Sequence, residues 1–413
     1  LGQMARRYAG DLQALGAAIY GVAQTIDTLP DAGYQALPLE GYTPLARFGL
    51  EAPLNAAIAA RDRRDFSLAV RGAPDYARIQ LPAFHVGGWY DVFLEGTIQN
   101  FQRMRAAGAP GQTLVIGPWT HGRFDALEGD LYFGLASSGA FLDLRGDLVT
   151  MQTQFFDRWL KQAPNGFDQQ PAVKYFVMGA NVWRSSDTWP PANSAEMRWY
   201  LHSGGGANSA AGDGMLSREA PAADETPDSY DYDPAHPAPT VGGATLLHAL
   251  FRPGPRDQGA VEARQDVLVY TSEPLTIPLE IAGPISVTLA VATDAPDTDF
   301  VARLVDVSPD GVAIPLADGI LRLRYRNGVW NDAEPLEPGQ TYAITIDLLA
   351  TANLFLPGHR IRLDVTSSSF PRWERNLNTG ASSATSVELR VARQTIRHDG
   401  EHASYVTLPV VGA

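Results

Sequence analysis

Hydrophobic residues near the start of the chain recur every three or four positions, which is the spacing of one helix face. This pattern predicts a helix over residues 1–26, with an apolar stripe formed by Met4, Tyr8, Leu12, Leu15, Ile19 and Val22. A turn at Pro30 ends the pattern, and a proline-punctuated loop leads to a short alanine-rich helix predicted over residues 54–60. The mixed charges at residues 61–65 are interpreted as a solvated surface.

Two short apolar runs, at residues 83–86 and 114–116, are each bounded by Gly or Pro and lie about one helix apart. This arrangement predicts two parallel strands that are joined by a helix and buried on both faces. The first run leads into Asp91 and the second into His121. Because parallel strands end at the same edge of a sheet, we expect these two side chains to lie next to each other. A carboxylate beside an imidazole makes up two-thirds of a hydrolytic triad.

The hydrophobic pattern changes along the rest of the chain. A helix is predicted over residues 148–160, with Leu148, Met151, Phe155, Phe156 and Trp159 in the core, and a strand over residues 173–179. From residue 197 onward the apolar residues form short β-type runs between turns, which is typical of a β-sandwich or jelly roll. The predicted strands cover residues 197–201, 267–270, 285–291, 300–307, 320–325, 342–348, 361–367 and 386–391. Residues 204–243, rich in Gly, Ala, Asp and Pro, are predicted to be a long surface loop.

Composition narrows the classes of function. With 413 residues, 45% hydrophobic and 19% charged, the chain is typical of a globular protein of two or three domains. A formal net charge of −14 argues against binding nucleic acid or an anionic membrane, which this field would repel. No apolar run approaches the ~18 residues that a membrane span needs. The absence of cysteine excludes disulfides and thiolate metal sites, but it leaves the compartment open, and the sequence is compatible with a homo-oligomer.

Several polar clusters have both a functional and a structural interpretation, and the structural one is favoured in each case. Asp297 and Asp299 could bind a cation, but hydrogen bonds to backbone amides in a turn are expected instead. The group His398, Asp399, Glu401 and His402 resembles a metal site, but no helical pattern supports it and a structural corner is expected. One polar sheet face is expected to contain Arg322, Arg324 and Arg326. His85 is expected to be a core histidine. His359 is expected to lie at a turn or at a domain interface.

Four motifs together resemble one enzyme family. The runs GGWYD at residues 87–91 and GPWTHG at residues 117–122 are similar to motifs of the CocE/NonD acyl esterases, the group related to α-amino-acid ester hydrolases and X-Pro dipeptidyl peptidases. The runs DTDFVARLVDVSPDG and FLPGHRIRLDVTSSSFPRWERNLNTG resemble the family's C-terminal domain. The resemblance implies part of an α/β-hydrolase followed by a jelly-roll β-sandwich. It also implies a helical cap region over residues 1–71, the hydrolase part over residues 72–192 and the β-sandwich over residues 193–413. A plain helical hairpin is the alternative for the cap.

The resemblance also implies a mechanism without metal or cofactor. A serine, deprotonated by His121 and assisted by Asp91, would attack a small-molecule ester, or an amide, and form an acyl-enzyme. Trp89, Tyr90 and Phe93 would line the acyl pocket, with core packing as the alternative for Trp89. Apolar residues directly after Asp91 favour an uncharged acyl group.

The serine of this triad has no candidate in the sequence. No G-x-S-x-G motif occurs, and Ser137 and Ser138 follow His121, whereas α/β-hydrolases run Ser, Asp, His along the chain. An apolar parallel strand also needs neighbours on both sides, and few strands are predicted. We therefore expect a missing N-terminal hydrolase segment to carry the serine. The alternative is a catalytically incomplete remnant whose β-sandwich acts as a ligand-binding or accessory module.

Overall fold

The computed structural model describes residues 2–60 and 75–412. Within residues 2–60 the chain forms four α-helices, α1 (Gly2–Arg7), α2 (Leu12–Asp27), α3 (Thr43–Ala46) and α4 (Ala52–Ala59). The single helix predicted over residues 1–26 is interrupted because Gly10 adopts a φ of +91° and Asp11 then caps a new helix. The Asp11 carboxylate accepts a hydrogen bond from the backbone N–H of Ala14 at 2.9 Å. The charged run at residues 61–65 lies outside the described residues.

A four-stranded sheet follows, in the order β1-β2-β5-β6. Strands β1, β2 and β5 are parallel, and β6 is antiparallel to β5. Helix α5 connects β1 to β2, and a small hairpin of β3 and β4 and helix α6 lie between β2 and β5. The bounds are β1 (Ala83–Tyr90), α5 (Leu94–Ala106), β2 (Gln112–Thr120), β3 (Leu127–Glu128), β4 (Leu131–Tyr132), α6 (Leu148–Leu160), β5 (Val173–Val177) and β6 (Val182–Ser186). Within the described residues, β1 pairs with β2 alone and leaves its other edge unpaired.

Burial follows the predicted periodicities in this layer. Strand β2 is buried along its whole length, as expected for a parallel strand covered on both faces. Helix α5 buries residues at spacings of three and four, namely Leu94, Ile98, Phe101 and Met104. Helix α6 has the predicted bounds and buries Leu148 and Phe155, but Phe156 is 52% exposed. The core assignment of Phe156 is wrong because one residue along a helix turns the side chain by about 100°, here away from the sheet.

The C-terminal part is an antiparallel β-sandwich, so the predicted combination of an α/β layer and a jelly-roll domain is confirmed. One path of hydrogen-bonded strands runs β13-β12-β15-β10-β8-β7-β17-β11-β16-β9, and β14 pairs with β11. A short helix, α7, covers Gly259–Glu262. The strands of this part are β7 (Ser194–His202), β8 (Met215–Ser217), β9 (Asp228–Tyr232), β10 (Leu268–Thr271), β11 (Leu279–Thr293), β12 (Asp299–Val307), β13 (Ala313–Arg322), β14 (Tyr342–Phe355), β15 (Arg360–Thr366), β16 (Ala392–Arg397) and β17 (Tyr405–Val411). None of the helices within residues 2–60 and 75–412 combines the length and apolar character needed to cross a bilayer.

Two predicted segments of the sandwich are wrong. The loop predicted over residues 204–243 contains β8 and β9, and β9 buries Asp228, Tyr230 and Tyr232. The strand predicted over residues 386–391 is irregular, and its apolar side chains face solvent. The ladder between β9 and β16 starts only at Ala392, which pairs with Tyr232.

The predicted polar sheet face and turn are instead a set of ion pairs. Strand β13 ends at Arg322, whose guanidinium donates two hydrogen bonds of 3.0 Å to the buried Asp299 carboxylate. Arg324 lies in the following 3₁₀ turn and donates both its backbone N–H, at 3.0 Å, and its side chain to Asp297. The backbone hydrogen bond expected for Asp297 is therefore present, but the Asp299 carboxylate is held by side chains. Asn376 bridges the two carboxylates at 2.7 Å.

His398 is fully buried and occupies a second polar network. Its Nε2 lies 2.9 Å from Asp228 and its Nδ1 lies 3.3 Å from Glu225. Asp228 also accepts hydrogen bonds from Ser203 and Tyr270. The residues grouped with His398 in the sequence lie apart from this network, since His402 pairs with Asp399 at 3.1 Å.

We expect the stability that His398 provides to be lost as the pH rises. Burial disfavours the imidazolium, but hydrogen bonds and charge from Asp228 and Glu225 outweigh burial and raise the pKa of His398 above its ordinary value. A group whose pKa is higher in the folded state stabilises the fold fully below its unfolded-state pKa of about 6.5 and stops doing so above its folded-state pKa.

The free energy of unfolding, measured in urea at pH 5.5 to 9, tests this expectation. The wild type should lose stability across that interval by more than a His398→Gln variant does. His236→Gln serves as the control, because the His236 side chain is largely exposed beside Asp233. Equal pH dependence in wild type and His398→Gln would contradict the assignment.

Candidate active site

The ends of β1 and β2 bring Asp91 and His121 together. Tyr90 pairs with Thr120 across the parallel ladder, so the residues that follow them emerge side by side. The His121 Nδ1 lies 3.1 Å from Asp91 Oδ1 and 3.2 Å from Oδ2. This is the contact that the strand spacing predicts. The His121 side chain is 40% exposed and that of Asp91 15%.

Close packing of the two strands depends on glycine. A Cβ on Gly88 would lie 2.2 Å from the carbonyl oxygen of Trp119, so β1 can approach β2 at this level only without a side chain. Directly after the strand, the Asp91 carboxylate accepts the backbone N–H of Phe93 at 2.9 Å. The start of α5 therefore fixes one oxygen of the carboxylate that faces His121.

The second ring nitrogen of His121 is available for chemistry. Asp91 engages Nδ1, while Nε2 has no hydrogen-bond partner among the residues that the structure describes. The edge of the Phe93 ring packs against the imidazole, with ring centroids 4.9 Å apart and an interplanar angle of 68°. An imidazole held by a carboxylate at Nδ1 presents Nε2 as a proton acceptor.

The three predicted pocket residues occupy different environments. Phe93 is 56% exposed beside His121, where a substrate could contact it. Trp89 is 3% exposed, donates its indole N–H to the Phe176 carbonyl at 2.7 Å and packs on Trp189. Tyr90 is buried and donates its hydroxyl to the Pro315 carbonyl of β13 at 3.0 Å, and burial raises the pKa of this phenol. The burial of Trp89 supports the alternative of core packing for that residue.

Ser137 and Ser138 make local hydrogen bonds. The Ser137 hydroxyl donates to the Gly134 carbonyl at 2.8 Å and that of Ser138 to the Leu135 carbonyl at 3.1 Å. Both residues are buried around a short 3₁₀ turn, and the Ser137 carbonyl accepts the Trp119 indole N–H. These contacts give neither serine a hydrogen bond to His121.

A buried carboxylate behind His121 escaped the sequence analysis. Thr120 donates its hydroxyl to Glu128 Oε2 at 2.8 Å, and Glu128 is almost fully buried on β3. Burial raises the pKa of Glu128, whereas the Thr120 hydrogen bond lowers it. The next residues dock on the β-sandwich, since the Asp130 N–H donates to the Pro255 carbonyl at 2.8 Å. No sequence signal could reveal this link, because it depends on a two-residue strand folding back under β2.

We expect Thr120→Val to destabilise the protein by about 1–3 kcal/mol. The change removes the hydroxyl that satisfies a buried carboxylate without changing the size of the side chain. Urea unfolding at pH 7 measures the loss. Thr153→Val is the matched control, because Thr153 lies on the exposed face of α6 and should change stability by less than about 0.5 kcal/mol. Equal effects of the two substitutions would contradict the role given to the Thr120–Glu128 hydrogen bond.

No group of three or more His, Asp or Glu side chains within residues 2–60 and 75–412 is arranged to hold a metal ion. His85, the other histidine on β1, is half-buried and its Nε2 contacts the Gln112 side chain at 2.9 Å. Burial lowers the pKa of His85. His85 therefore lies away from the end of the strand, as expected, but the prediction of a core histidine is wrong because its ring is only half-buried and is held by the Gln112 side chain.

Two family models match the chain. The model described as X-Pro dipeptidyl-peptidase C-terminal non-catalytic domain matches residues 165–407, and the model described as X-Pro dipeptidyl-peptidase (S15 family) matches residues 27–123. The first match covers more than half of the chain and includes all the strands of the sandwich up to β16.

Known proteins of this group are similar over most of the chain. Cocaine esterase from Rhodococcus sp. (strain MB1 Bresler) is 41% identical over 332 residues, which cover 80% of this chain and 56% of the relative. A solved α-amino acid ester hydrolase is 27% identical with a TM-score of 0.72, covering 89% of this chain and 62% of the other. An aminopeptidase from the marine sediment archaeon Thaumarchaeota archaeon is 30% identical with a TM-score of 0.70, covering 80% and 55%.

The chain spans about half the length of the curated relatives it matches. The two family matches include the strand ends that carry Asp91 and His121 and the strands of the sandwich up to β16. On the family matches, the identity to cocaine esterase and the shared architecture, the chain belongs to the CocE/NonD family, which is related to the X-Pro dipeptidyl peptidases.

Proposed function

We propose that the protein carrying this chain is a serine hydrolase that cleaves carboxylic esters through an acyl-enzyme, with Asp91 and His121 as two members of its triad. The observation that carries this proposal is the 3.1 Å contact between the Asp91 carboxylate and His121 Nδ1 at the ends of two parallel strands. The printed names of the relatives, cocaine esterase and α-amino acid ester hydrolase, support the choice of esters.

Each half of the proposed reaction has two proton transfers through the same nitrogen of His121. The serine hydroxyl gives its proton to His121 Nε2 while its oxygen attacks the ester carbonyl, and the imidazolium that forms is stabilised by Asp91. His121 then donates that proton to the leaving alcohol. Water repeats the sequence and releases the acid from the acyl-serine.

The serine in this proposal comes from a segment outside the described residues. Ser137 and Ser138 are engaged in local hydrogen bonds, and β1 has an unpaired edge within residues 2–60 and 75–412. A further parallel strand at this edge would complete the hydrogen bonds of β1 and end next to Asp91. We propose that this partner segment carries the serine.

The surroundings of Asp91 favour an uncharged, apolar acyl group in this proposal. Val92 and Phe93 are both exposed beside the pair, and the acidic residue nearest in sequence, Glu95, accepts a hydrogen bond from Gln99 on α5 at 2.7 Å. Leu94, which follows Phe93, is buried and lines a small cavity that also contains Asp91, so its apolar side chain is consistent with an uncharged acyl group.

Labelling with a fluorophosphonate tests the proposal. The full protein, including the serine-bearing segment, should react stoichiometrically, and His121→Ala should prevent labelling because the serine is no longer activated. His236→Ala is the control, since His236 is an exposed histidine at a distant turn of the sandwich. Absence of labelling in the wild-type full protein would instead support the alternative of an accessory ligand-binding module.

A further inference from the structure

A cavity of about 360 Å³ lies where the α/β layer meets the β-sandwich. We call it the interdomain cavity. Tyr90 and Met178 line it from the sheet, Phe133 from the segment after the β3–β4 hairpin, and Ile314 and Leu316 from β13. Its wall is predominantly apolar, and its volume is in the range of pockets that hold small ligands.

Several polar side chains interrupt the apolar wall, and three of them form one hydrogen-bonded group. The His359 Nδ1 lies 2.8 Å from Asp306 Oδ1, and the Asn353 amide donates to Asp306 Oδ2 at 3.1 Å. The sequence predicts His359 at a turn or a domain interface, and both residues of this pair line the interdomain cavity. The pair repeats the Asp91–His121 arrangement at a second place in the molecule.

The hydrogen bonds of this pair determine what it can recognise. Asp306 uses both oxygens within the protein, and His359 uses Nδ1. His359 Nε2 has no hydrogen-bond partner among the described residues. When the Nδ1 proton is donated to Asp306, Nε2 carries a lone pair and accepts a hydrogen bond. In that tautomer, a ligand group that contacts Nε2 has to be a hydrogen-bond donor.

The charge around the cavity adds a second requirement. Asp310 also lines it, where its carboxylate accepts a hydrogen bond from Ser308, and none of the described lining residues is Lys or Arg. Burial raises the pKa of Asp306, and hydrogen bonds from His359 and Asn353 only oppose that effect. A positive charge in the cavity would stabilise the charged form of both carboxylates, because neither faces a Lys or Arg side chain among the described lining residues.

We propose that the interdomain cavity binds a small organic cation, a primary ammonium group on a compact apolar body. The ammonium would donate to His359 Nε2 and lie in the field of Asp306 and Asp310, while the apolar body would contact Phe133, Ile314 and Leu316. This site is separate from the Asp91–His121 pair, and the proposal does not depend on the proposed esterase activity.

Binding of three probes of similar shape tests the ligand class. Benzylammonium, benzyl alcohol and benzoate would be titrated against the full protein by calorimetry at pH 7.5. Benzylammonium should bind at one site, benzyl alcohol about tenfold or more weakly, and benzoate without measurable heat. Equal affinity for benzoate and benzylammonium would overturn the proposal.

Substitutions in the full protein test where benzylammonium binds. Val312→Trp should abolish binding by filling the cavity, which the partly exposed Val312 side chain lines. Val387→Trp, at an exposed position of the sandwich outside the lining, should bind normally. Asp91→Asn should also bind normally, because the proposed site does not use Asp91. Loss of binding in Asp91→Asn with retention in Val312→Trp would place the probe at the candidate active site and refute the cavity assignment.

The pair itself is tested by His359→Gln, which should weaken benzylammonium binding at least tenfold. If this variant unfolds below the assay temperature, Val312→Trp still decides the question, because it leaves the Asp306–His359 hydrogen bond intact. Unchanged affinity in a folded His359→Gln variant would contradict the role of Nε2.

Discussion

His121→Ala is expected to lower the turnover number for ester hydrolysis by the full protein by about 10⁴-fold or more. The side chain is the only described group within hydrogen-bond distance of Asp91 that can accept the serine proton through a free ring nitrogen. Its loss leaves the serine as a neutral hydroxyl. The Michaelis constant should change little, because the imidazole mainly stabilises the transition state.

Asp91→Asn should give a loss of similar size for a different reason. An amide can donate to Nδ1, which favours the tautomer with its proton on Nε2 and removes the proton acceptor. Steady-state kinetics on an activated ester would measure both effects, and His236→Ala should retain full turnover. A loss of less than tenfold in either His121→Ala or Asp91→Asn would contradict the roles assigned to the pair.

Asp299→Ala is expected to destabilise the protein by about 3–5 kcal/mol. The Asp299 carboxylate is buried and receives two hydrogen bonds from Arg322 and one from Asn376. Removing it leaves a largely buried guanidinium without its main partner. The cost should therefore greatly exceed that of losing an exposed ion pair.

Asp231→Ala is the matched control for this prediction. Asp231 pairs with Arg393 at 3.1 Å across β9 and β16, but both side chains are more than half exposed, so its loss should cost less than about 1 kcal/mol. The difference in the free energy of unfolding, from urea titrations at pH 7, measures the contrast. Similar values for Asp299→Ala and Asp231→Ala would show that burial does not determine the strength of the Asp299 network.

The parts of the fold that depend on local periodicity could be predicted from the sequence. Alternation of short apolar runs with a helix-length spacer is sufficient to place β1, α5 and β2, and the strand ends then place Asp91 beside His121. Helix α6 has the bounds that its hydrophobic pattern predicts. These features need only the chain itself and the geometry of a parallel sheet.

Features that depend on distant partners could not be predicted. Strand β9 contains Asp228 and Asp231 and has the composition of a loop, yet His398, far along the chain, makes burial of Asp228 favourable. Asp299 is a second example. Its neighbours in the sequence are typical of a turn, and its burial is favourable only because the β12–β13 ladder places Arg322 opposite it. Buried polar residues escape pattern analysis because their partners are supplied by the tertiary structure.

The candidate site also combines features that the local sequence pattern predicts with features that depend on distant partners. The sequence indicates which residues end the strands, but it does not distinguish the exposed Phe93 from the buried Trp89 and Tyr90 nearby. It also gives no sign of Glu128 behind Thr120, because a short hairpin places it there. Exposure around a strand end is set by the domain packed against it, here by β13 through Pro315.

A crystal structure of the full protein after fluorophosphonate labelling would test the central claim most directly. We expect the phosphonylated serine on a strand-to-helix turn beside the free edge of β1, with its Oγ about 3 Å from His121 Nε2 and Asp91 still hydrogen-bonded to Nδ1. A labelled residue that lies beyond the reach of His121, or an adduct structure in which Asp91 and His121 have separated, would contradict the account.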